Sequence, residues 1–243
     1  MPDPTEPSGR LYFRQLLSGR DFAAKDPIAR QMVNFVYLIG DRETGQALAV
    51  DPAYAPGEVV DLLQADGMTL SGVLLTHYHA DHAGGSLFGH SIAGLAELLE
   101  RSSVPVHVNE EELTFVERAA GVGRSELLGH ASDEVVTVGD IDVRLVHTPG
   151  HTPGSQCFLV DGRLVAGDTL FLNGCGRTDL PGSDPAAMYD SLQNRLGRLP
   201  DGTVVYQGHL YSDKPAAALG EVRRWNPVLA PRSAEDWLAL FGG

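Results

Sequence analysis

Residues 76–82 read Thr-His-Tyr-His-Ala-Asp-His and place three histidines and an aspartate within six residues. They follow the apolar run 70–75, which we predict to be a buried strand, and they precede two glycines that are typical of a turn. Folds that mix strands and helices place their chemistry where a strand ends in a polar loop. Neutral imidazole and ionised carboxylate suit zinc and non-haem iron as ligands. The spacing therefore predicts a metal site rather than isolated structural histidines.

Three further metal-capable residues, His151, Asp168 and His209, stand in segments that each follow a predicted strand. If these strands share sheets, their carboxyl ends can converge on one edge, and neighbouring glycines let the backbone approach bound ions. The candidate ligands are then five histidines and two aspartates: His77, His79, Asp81, His82, His151, Asp168 and His209. An open zinc site uses three protein ligands and a water, so seven ligands fit two ions that share a carboxylate. Two metals about 3.5–4 Å apart can hold a bridging hydroxide and polarise a carbonyl, which predicts hydrolysis.

The charge, the apolar runs, the N-terminal segment and the cysteines limit which partners and which location are expected for the chain. The chain carries 32 acidic and 18 basic residues, a formal charge of −14, and this field repels nucleic acid and anionic lipid. No stretch approaches the roughly 20 apolar residues that cross a bilayer. Residues 1–10 are rich in proline and polar residues and lack the layout of a secretory signal, so we expect a flexible tail on a cytoplasmic protein. The two cysteines form no disulfide framework, and Cys157 is expected to be a core thiol.

Hydrophobic periodicity predicts short strands in both halves of the chain, with helices between and after them. The predicted strands are 33–39, 47–50, 70–75, 104–108, 135–138, 143–146, 156–160, 164–166 and 203–206, and the predicted helices are 57–66, 91–101, 109–118, 188–196, 214–224 and 234–240. Residues 121–133 are interpreted as a loop, and His107 and His130 as structural or surface residues without a partner. This order favours an α/β fold of the αββα sandwich type, with two mixed sheets and helices on the outer faces, formed by one domain over residues 11–243.

The histidine segment and its three downstream partners resemble the metallo-β-lactamase superfamily, and the resemblance runs from about Tyr37 to the C-terminus. It implies that His77, His79 and His151 hold one ion. It further implies that Asp81, His82 and His209 hold a second ion and that Asp168 bridges the two. Asp51 matches a structural aspartate that braces such a site from below.

Within that superfamily, residues 167–171 and 174–177 are similar to glyoxalase II, the hydroxyacylglutathione hydrolases. The similarity implies a thioester hydrolase with two divalent ions, zinc or iron or manganese, acting on a small thiol-derived substrate. Arg177 matches the position that contacts glutathione, Tyr211 matches a tyrosine near the thiol carrier, and Asp81 could orient or shuttle the proton. Asp179 departs from the aromatic residue usual there, and only 34 residues follow His209, so the thiol carrier stays open. A homodimer is compatible with this resemblance.

Residues 40–43, 175–179 and 226–229 are instead similar to the persulfide dioxygenase branch of the superfamily. That similarity implies a single Fe(II) held by His77, His151 and Asp168, the two-histidine, one-carboxylate set of non-haem iron oxygenases. Residues 86–133 are longer than in typical members, and we expect them to form a lid over the pocket mouth.

Overall fold

The computed structural model describes residues 9–231 and 233–242, and within them two six-stranded sheets are formed. In chain order the strands are β1 (Leu11–Leu17), β2 (Phe35–Asp41), β3 (Gln46–Val50), β4 (Thr69–Leu74), β5 (Gly85–Leu87), β6 (His90–Ile92), β7 (Val106–Asn109), β8 (Leu127–His130), β9 (Val135–Val138), β10 (Ile141–His147), β11 (Gln156–Val160), β12 (Arg163–Gly167), β13 (Val204–Gln207) and β14 (Ala216–Ala218). The helices are α1 (Pro27–Met32), α2 (Pro56–Ala65), α3 (Ala80–Ala83), α4 (Leu95–Arg101), α5 (Leu113–Ala120), α6 (Pro185–Asp190), α7 (Leu219–Trp225) and α8 (Ala234–Phe241). None of these helices is long and apolar enough to cross a membrane.

Both sheets are mixed and repeat one pairing scheme. The first sheet has the order β1-β2-β3-β4-β7-β8, and the second has the order β14-β13-β12-β11-β10-β9. Two antiparallel pairs followed by a parallel pair occur in the first sheet from β1 to β4 and in the second sheet from β10 to β13. Strands β5 and β6 form a separate hairpin. The two halves of the chain therefore contain strands in the same arrangement.

Strand β2 shows why the sheets bury both faces. Its side chains alternate, so that Tyr37 and Ile39 enter a core shared with the second sheet, whereas Val36 and Leu38 pack beneath helix α2. The outer face of the second sheet is likewise covered by α6, α7 and α8, through Met188 and other apolar residues. Strands buried on both faces are mostly apolar, and all seven residues of β2 are buried, with only Asp41 at its end charged. The predicted αββα sandwich is confirmed.

Three local predictions were wrong, because strand pairing overrides local propensity. Residues 127–130, predicted as loop, form β8 beside the parallel strand β7. The helix predicted to begin at Ser91 begins at Leu95, since residues 90–92 pair with β5. Residues 216–218, three alanines predicted as helix, pair antiparallel with β13. Strand β1 was missed, although all seven of its residues pair with β2.

The missed strand β8 also corrects the interpretation of His107 and His130 as residues without a partner. Nδ1 of His107 lies 2.9 Å from Nε2 of His130 on the adjacent strand, and Nδ1 of His130 lies 2.8 Å from the Glu134 carboxylate. Burial lowers the pKa of His107 to about 4, so its ring is neutral in this chain of hydrogen bonds.

The predicted tail, residues 1–10, lies outside the described residues as far as residue 8. Its last residue, Arg10, is fixed, because its guanidinium donates two hydrogen bonds of 3.0 and 2.8 Å to Asp41 at the end of β2. The same carboxylate accepts a bond of 2.9 Å from the backbone N–H of Asp140, in the turn before β10. Asp41 therefore connects the segment before β1 to both sheets.

Variants of helix α8 can show whether this helix unfolds together with the two sheets. Trp237 is fully buried and donates its indole N–H to the carbonyl of Val228 at 3.0 Å. We expect Trp237→Ala to lower the free energy of unfolding by about 3–5 kcal/mol in one cooperative urea transition. Leu240→Ala, on the exposed side of the same helix, should change it by less than about 0.5 kcal/mol. Equal stability of both variants would contradict a single unit.

Candidate metal centre

The structure brings all seven candidate ligands to the facing carboxyl ends of strands from both sheets. The turn after β4 and the single-turn helix α3 carry four of them, and the segments after β10, β12 and β13 carry one each. Three overlapping groups have ligand atoms within 4.8 Å of one another: His77, His79 and His151; His77, His82 and Asp168; and Asp81, His82 and His209. Asp168 lies between the two ends of this cluster, with Oδ2 3.7 Å from Nε2 of His151 and 3.3 Å from Nε2 of His209.

The histidine rings are oriented by hydrogen bonds at their outer nitrogens. Nδ1 of His209 donates to the carbonyl of Met32 at 2.8 Å, and Nδ1 of His151 donates to the carbonyl of Arg177 at 2.8 Å. Because a carbonyl oxygen can only accept, each Nδ1 must carry the proton, and each Nε2 of the neutral ring must present a lone pair. Both lone pairs face into the cluster.

Asp51 orients two further rings in the same way. Its carboxylate accepts Nδ1–H of His82 at 2.9 Å and the hydroxyl of Thr76 at 2.6 Å. The Thr76 oxygen, having donated its proton, accepts Nδ1–H of His77 at 3.0 Å. Asp51 also accepts the backbone N–H of Thr76 at 2.7 Å. It therefore braces the site from below, as the resemblance to the superfamily implied.

The inner atoms of the cluster lack the partners that a buried polar group normally has. Among the described residues, Nε2 of His77 and Oδ1 of Asp168 are buried without a hydrogen bond. Nε2 of His82 lies 3.3 Å from Nε2 of His209, so the inner nitrogens of two rings face each other. Zinc–nitrogen distances of about 2.0–2.1 Å in a tetrahedral site put two nitrogens roughly 3.3 Å apart. The donor set and its spacing therefore fit bound divalent metal.

The ionisation states of the cluster also suit a cation. Burial lowers the pKa of His77 well below its ordinary value, so this ring is a neutral ligand. Burial alone would lower the pKa of His82 too, but the carboxylates of Asp81 and Asp168 raise it to about 10, so without a bound cation this ring holds a proton that a metal ion would displace. Burial would raise the pKa of Asp168, but the rings of His209 and His82 hold it well below its usual range. The cluster thus carries buried negative charge that a metal ion would neutralise.

A glycine allows the close approach on which this packing depends. A Cβ at Gly208 would lie 2.3 Å from Oδ1 of Asp168 and 2.9 Å from the backbone of Gly167. Real Cβ atoms do not come this close, so any larger residue at position 208 would displace the Asp168 carboxylate.

Glu112 is a supporting residue that the sequence analysis missed. It is buried, and its carboxylate accepts the backbone N–H of Tyr78 at 2.8 Å, the hydroxyl of Thr152 at 2.6 Å and the backbone N–H of Gly154 at 2.8 Å. Burial raises its pKa, and these three hydrogen bonds oppose that change. Glu112 therefore joins the loop of His77 and His79 to the loop of His151. The run of three glutamates looked like a solvated helix start, so sequence gave no signal.

Asn34 is the second missed residue. Its amide nitrogen donates to the backbone oxygen and to Oδ2 of Asp81, both at 3.1 Å. The hydroxyl of Tyr54 donates to its amide oxygen at 3.1 Å, which fixes the orientation of the amide. The same nitrogen lies 3.3 Å from Nε2 of His82 and 3.5 Å from Nε2 of His209. The sequence did offer one signal for this role, because Asn34 is a lone amide in the apolar run 33–39.

A cavity of about 860 Å³ opens onto the cluster. Five candidate ligands, His79, Asp81, His151, Asp168 and His209, form its floor. Its walls include Tyr78, Leu87, Phe88, Arg118, Phe171, Arg177 and Tyr211. The ring of Tyr211 stacks on His209, with 4.6 Å between centroids and 7° between planes. Arg177 is exposed and forms two hydrogen bonds with Asp179, at 2.8 and 2.7 Å. Parts of the predicted lid, residues 86–88 and 118–119, line the cavity.

The model of the metallo-beta-lactamase superfamily matches residues 30–209, which include all seven clustered residues and every strand of the two sheets except β1 and β14. The chain belongs to this superfamily of enzymes, which uses divalent metals.

Individual relatives narrow the class further. The chain is 35% identical over 219 residues to a hydroxyacylglutathione hydrolase of Methylobacillus flagellatus, covering 89% of this chain and 78% of the relative. It is 30% identical over 194 residues to the probable polyketide biosynthesis zinc-dependent hydrolase BaeB of Bacillus velezensis, covering 79% and 80%. The crystal structure of ETHE1 from Myxococcus xanthus superposes with a TM-score of 0.77 at 29% identity, covering 96% and 90%. The chain therefore falls in the branch that resembles glyoxalase II and persulfide dioxygenases.

The bonds at Glu112 give a prediction about the frame of the site. Glu112→Ala removes the shared acceptor of the Tyr78 and Gly154 backbone N–H groups and of the Thr152 hydroxyl, so we expect the free energy of unfolding to fall by about 3 kcal/mol. Urea denaturation followed by circular dichroism measures this change. Glu111→Ala removes the exposed neighbouring carboxylate and should cost less than about 0.5 kcal/mol. A Glu112 variant as stable as the Glu111 variant would refute the bracing role.

Proposed function

We propose that this chain is a metal-dependent hydrolase of a thioester or a related ester. The observation that carries the proposal is the convergence of histidine lone pairs with a buried carboxylate on the floor of an open cavity. The likeness to a hydroxyacylglutathione hydrolase over most of both chains supports the same reaction class.

In this proposal the cluster holds two divalent ions. His77, His79 and His151 would hold the first ion, Asp81, His82 and His209 would hold the second, and Asp168 would be shared. Zinc, iron and manganese all suit this donor set. When bound, such ions supply a Lewis acid and lower the pKa of a bound water to near neutrality.

The protein's own groups position the substrate and move the proton. Asp81 lines the cavity, and Asn34 holds its Oδ2 by a hydrogen bond of 3.1 Å. We assign to Asp81 the role of orienting the attacking water and passing a proton toward the departing thiolate. Tyr211, stacked on His209, and Arg177, on the opposite loop, are assigned to the thiol-derived part of the substrate.

Two observations favour a second candidate, a mononuclear iron dioxygenase acting on a persulfide. The likeness to the crystal structure of ETHE1 extends over nearly all of both chains. The Asn34 amide also lies within 3.5 Å of the Asp81, His82 and His209 atoms that would hold the second ion. In this candidate His77, His151 and Asp168 would hold a single Fe(II).

One pair of assays on the same preparation separates the two functions. The protein, purified without added metal and analysed for metal content, is offered S-acylglutathione thioesters in one assay and glutathione persulfide with Fe(II) in an oxygen electrode in the other. Thioester cleavage without oxygen uptake supports the hydrolase. Oxygen uptake that depends on Fe(II), without thioester cleavage, would replace the proposal by the dioxygenase.

Asp168→Ala tests the shared ligand. Because this carboxylate faces both ends of the cluster, we expect the variant to lose bound metal and more than about 100-fold in activity while it remains folded. Metal analysis, circular dichroism and the assay above provide the readouts. Asp61→Ala, an exposed carboxylate on α2, should retain both metal and activity. Full metal content and activity in the Asp168 variant would contradict the assignment.

A further inference from the structure

Arg118, on the last turn of helix α5, is a cavity residue to which no role has been assigned above. Its side chain is exposed and lines the cavity. Among the described residues, no carboxylate or carbonyl lies within hydrogen-bonding or ion-pairing distance of its guanidinium, whereas most arginines of this chain have such a partner. A guanidinium that lines a substrate-sized cavity without a partner can bind an anion.

The second arginine of the cavity is differently placed. Arg177 is already engaged by Asp179 through two parallel hydrogen bonds, the bidentate geometry of a strong arginine–carboxylate pair. An anionic substrate would have to displace Asp179 before it could use Arg177. Arg118 needs no such displacement, so it offers the cavity's available positive charge.

The surroundings of Arg118 describe the rest of the ligand. The hairpin of β5 and β6 packs on α5, since a Cβ at Gly85 would lie 2.2 Å from the carbonyl of Ala119. The tip of this hairpin carries Phe88, which is 88% exposed and lines the same cavity together with Leu87. The wall from Gly85 to Ala120 thus offers an apolar surface beside one cation.

The net charge of the chain makes this cation consequential. A protein with a formal charge of −14 repels anions over its surface in general, so an anionic substrate needs local positive charge at the mouth of the site. Arg118 supplies that charge on the cavity wall, away from the candidate metal ligands on the cavity floor.

We propose that Arg118 binds a carboxylate of the substrate, and that the substrate is an anionic thioester whose apolar part lies against Phe88 and Leu87. This inference rests on the proposed hydrolase function and specifies its substrate class. The carboxylate can belong either to the thiol carrier or to the acyl group, and the two sources are separable with synthetic thioesters.

The kinetic test compares three thioesters on the metal-loaded enzyme. S-acetylglutathione has an anionic carrier, S-succinyl-N-acetylcysteamine has an anionic acyl group, and S-acetyl-N-acetylcysteamine is neutral. We expect Arg118→Ala to lower kcat/KM for at least one anionic thioester by roughly 10- to 100-fold, mainly through KM, and to leave the neutral thioester within about twofold. The anionic thioester that loses activity identifies the source. Arg118→Lys should recover part of the loss.

Matched arginine variants control for a general loss of charge. Arg224→Ala removes an exposed arginine on α7 that does not line the cavity, and it should leave all three thioesters unchanged. An equal effect of Arg118→Ala on neutral and anionic thioesters, or an equal effect of Arg224→Ala, would overturn the assignment of Arg118.

A binding measurement keeps this inference separate from the hydrolase proposal. Calorimetry with S-hexylglutathione, and with its neutral counterpart S-hexyl-N-acetylcysteamine, needs no catalysis. Where the anionic acyl thioester is the one affected, S-carboxyhexyl-N-acetylcysteamine replaces the first ligand. Affinity for the anionic thioether that depends on Arg118 supports the inference even if no thioester is cleaved, in which case the hydrolase proposal alone fails. Cleavage of thioesters without any dependence on Arg118 would overturn the inference about Arg118 and leave the hydrolase proposal standing.

Discussion

The site depends on the hydrogen bonds that hold the outer nitrogens of its histidine rings. Asp51 orients His82 directly and His77 through Thr76, and backbone carbonyls orient His151 and His209. Each bond fixes a proton on Nδ1 and so directs an Nε2 lone pair inward. Lone pairs held about 3 Å apart repel one another unless a cation lies among them. The fold therefore uses buried hydrogen bonds to hold an arrangement that requires positive charge, from a proton or a metal ion, among its inner nitrogens.

The sandwich explains how residues so far apart in sequence reach this arrangement. The repeated pairing scheme of the two sheets brings the carboxyl ends of β4, β10, β12 and β13 to one edge, where the clustered residues follow. Sequence was sufficient for this part, because each segment that carries candidate ligands follows a predicted strand and because ligand chemistry limits the residue types to histidine and carboxylate. The two-sheet architecture followed from the same runs, since strands buried on both faces are recognisable as continuous apolar segments.

The residues that sequence did not reveal are those whose role arises only from tertiary contacts. Glu112 resembles its exposed neighbours in a run of three glutamates, yet it is buried between two ligand loops. Strand β8 is short and carries a glycine, so its pairing with β7, and with it the contact of His107 with His130, could not be read locally. The Arg177–Asp179 pair was likewise visible only in the structure, and it shifts attention to Arg118 as the free cation of the cavity wall.

The binding of metal among the clustered ligands is tested by anomalous X-ray diffraction from crystals of the metal-loaded protein. The data are collected at the absorption edges of zinc, iron and manganese. We expect a strong anomalous peak among His77, His151 and Asp168, with a second peak beside Asp81 and His209 if two ions bind. Fully loaded crystals with no anomalous peak within coordination distance of these side chains would contradict this expectation.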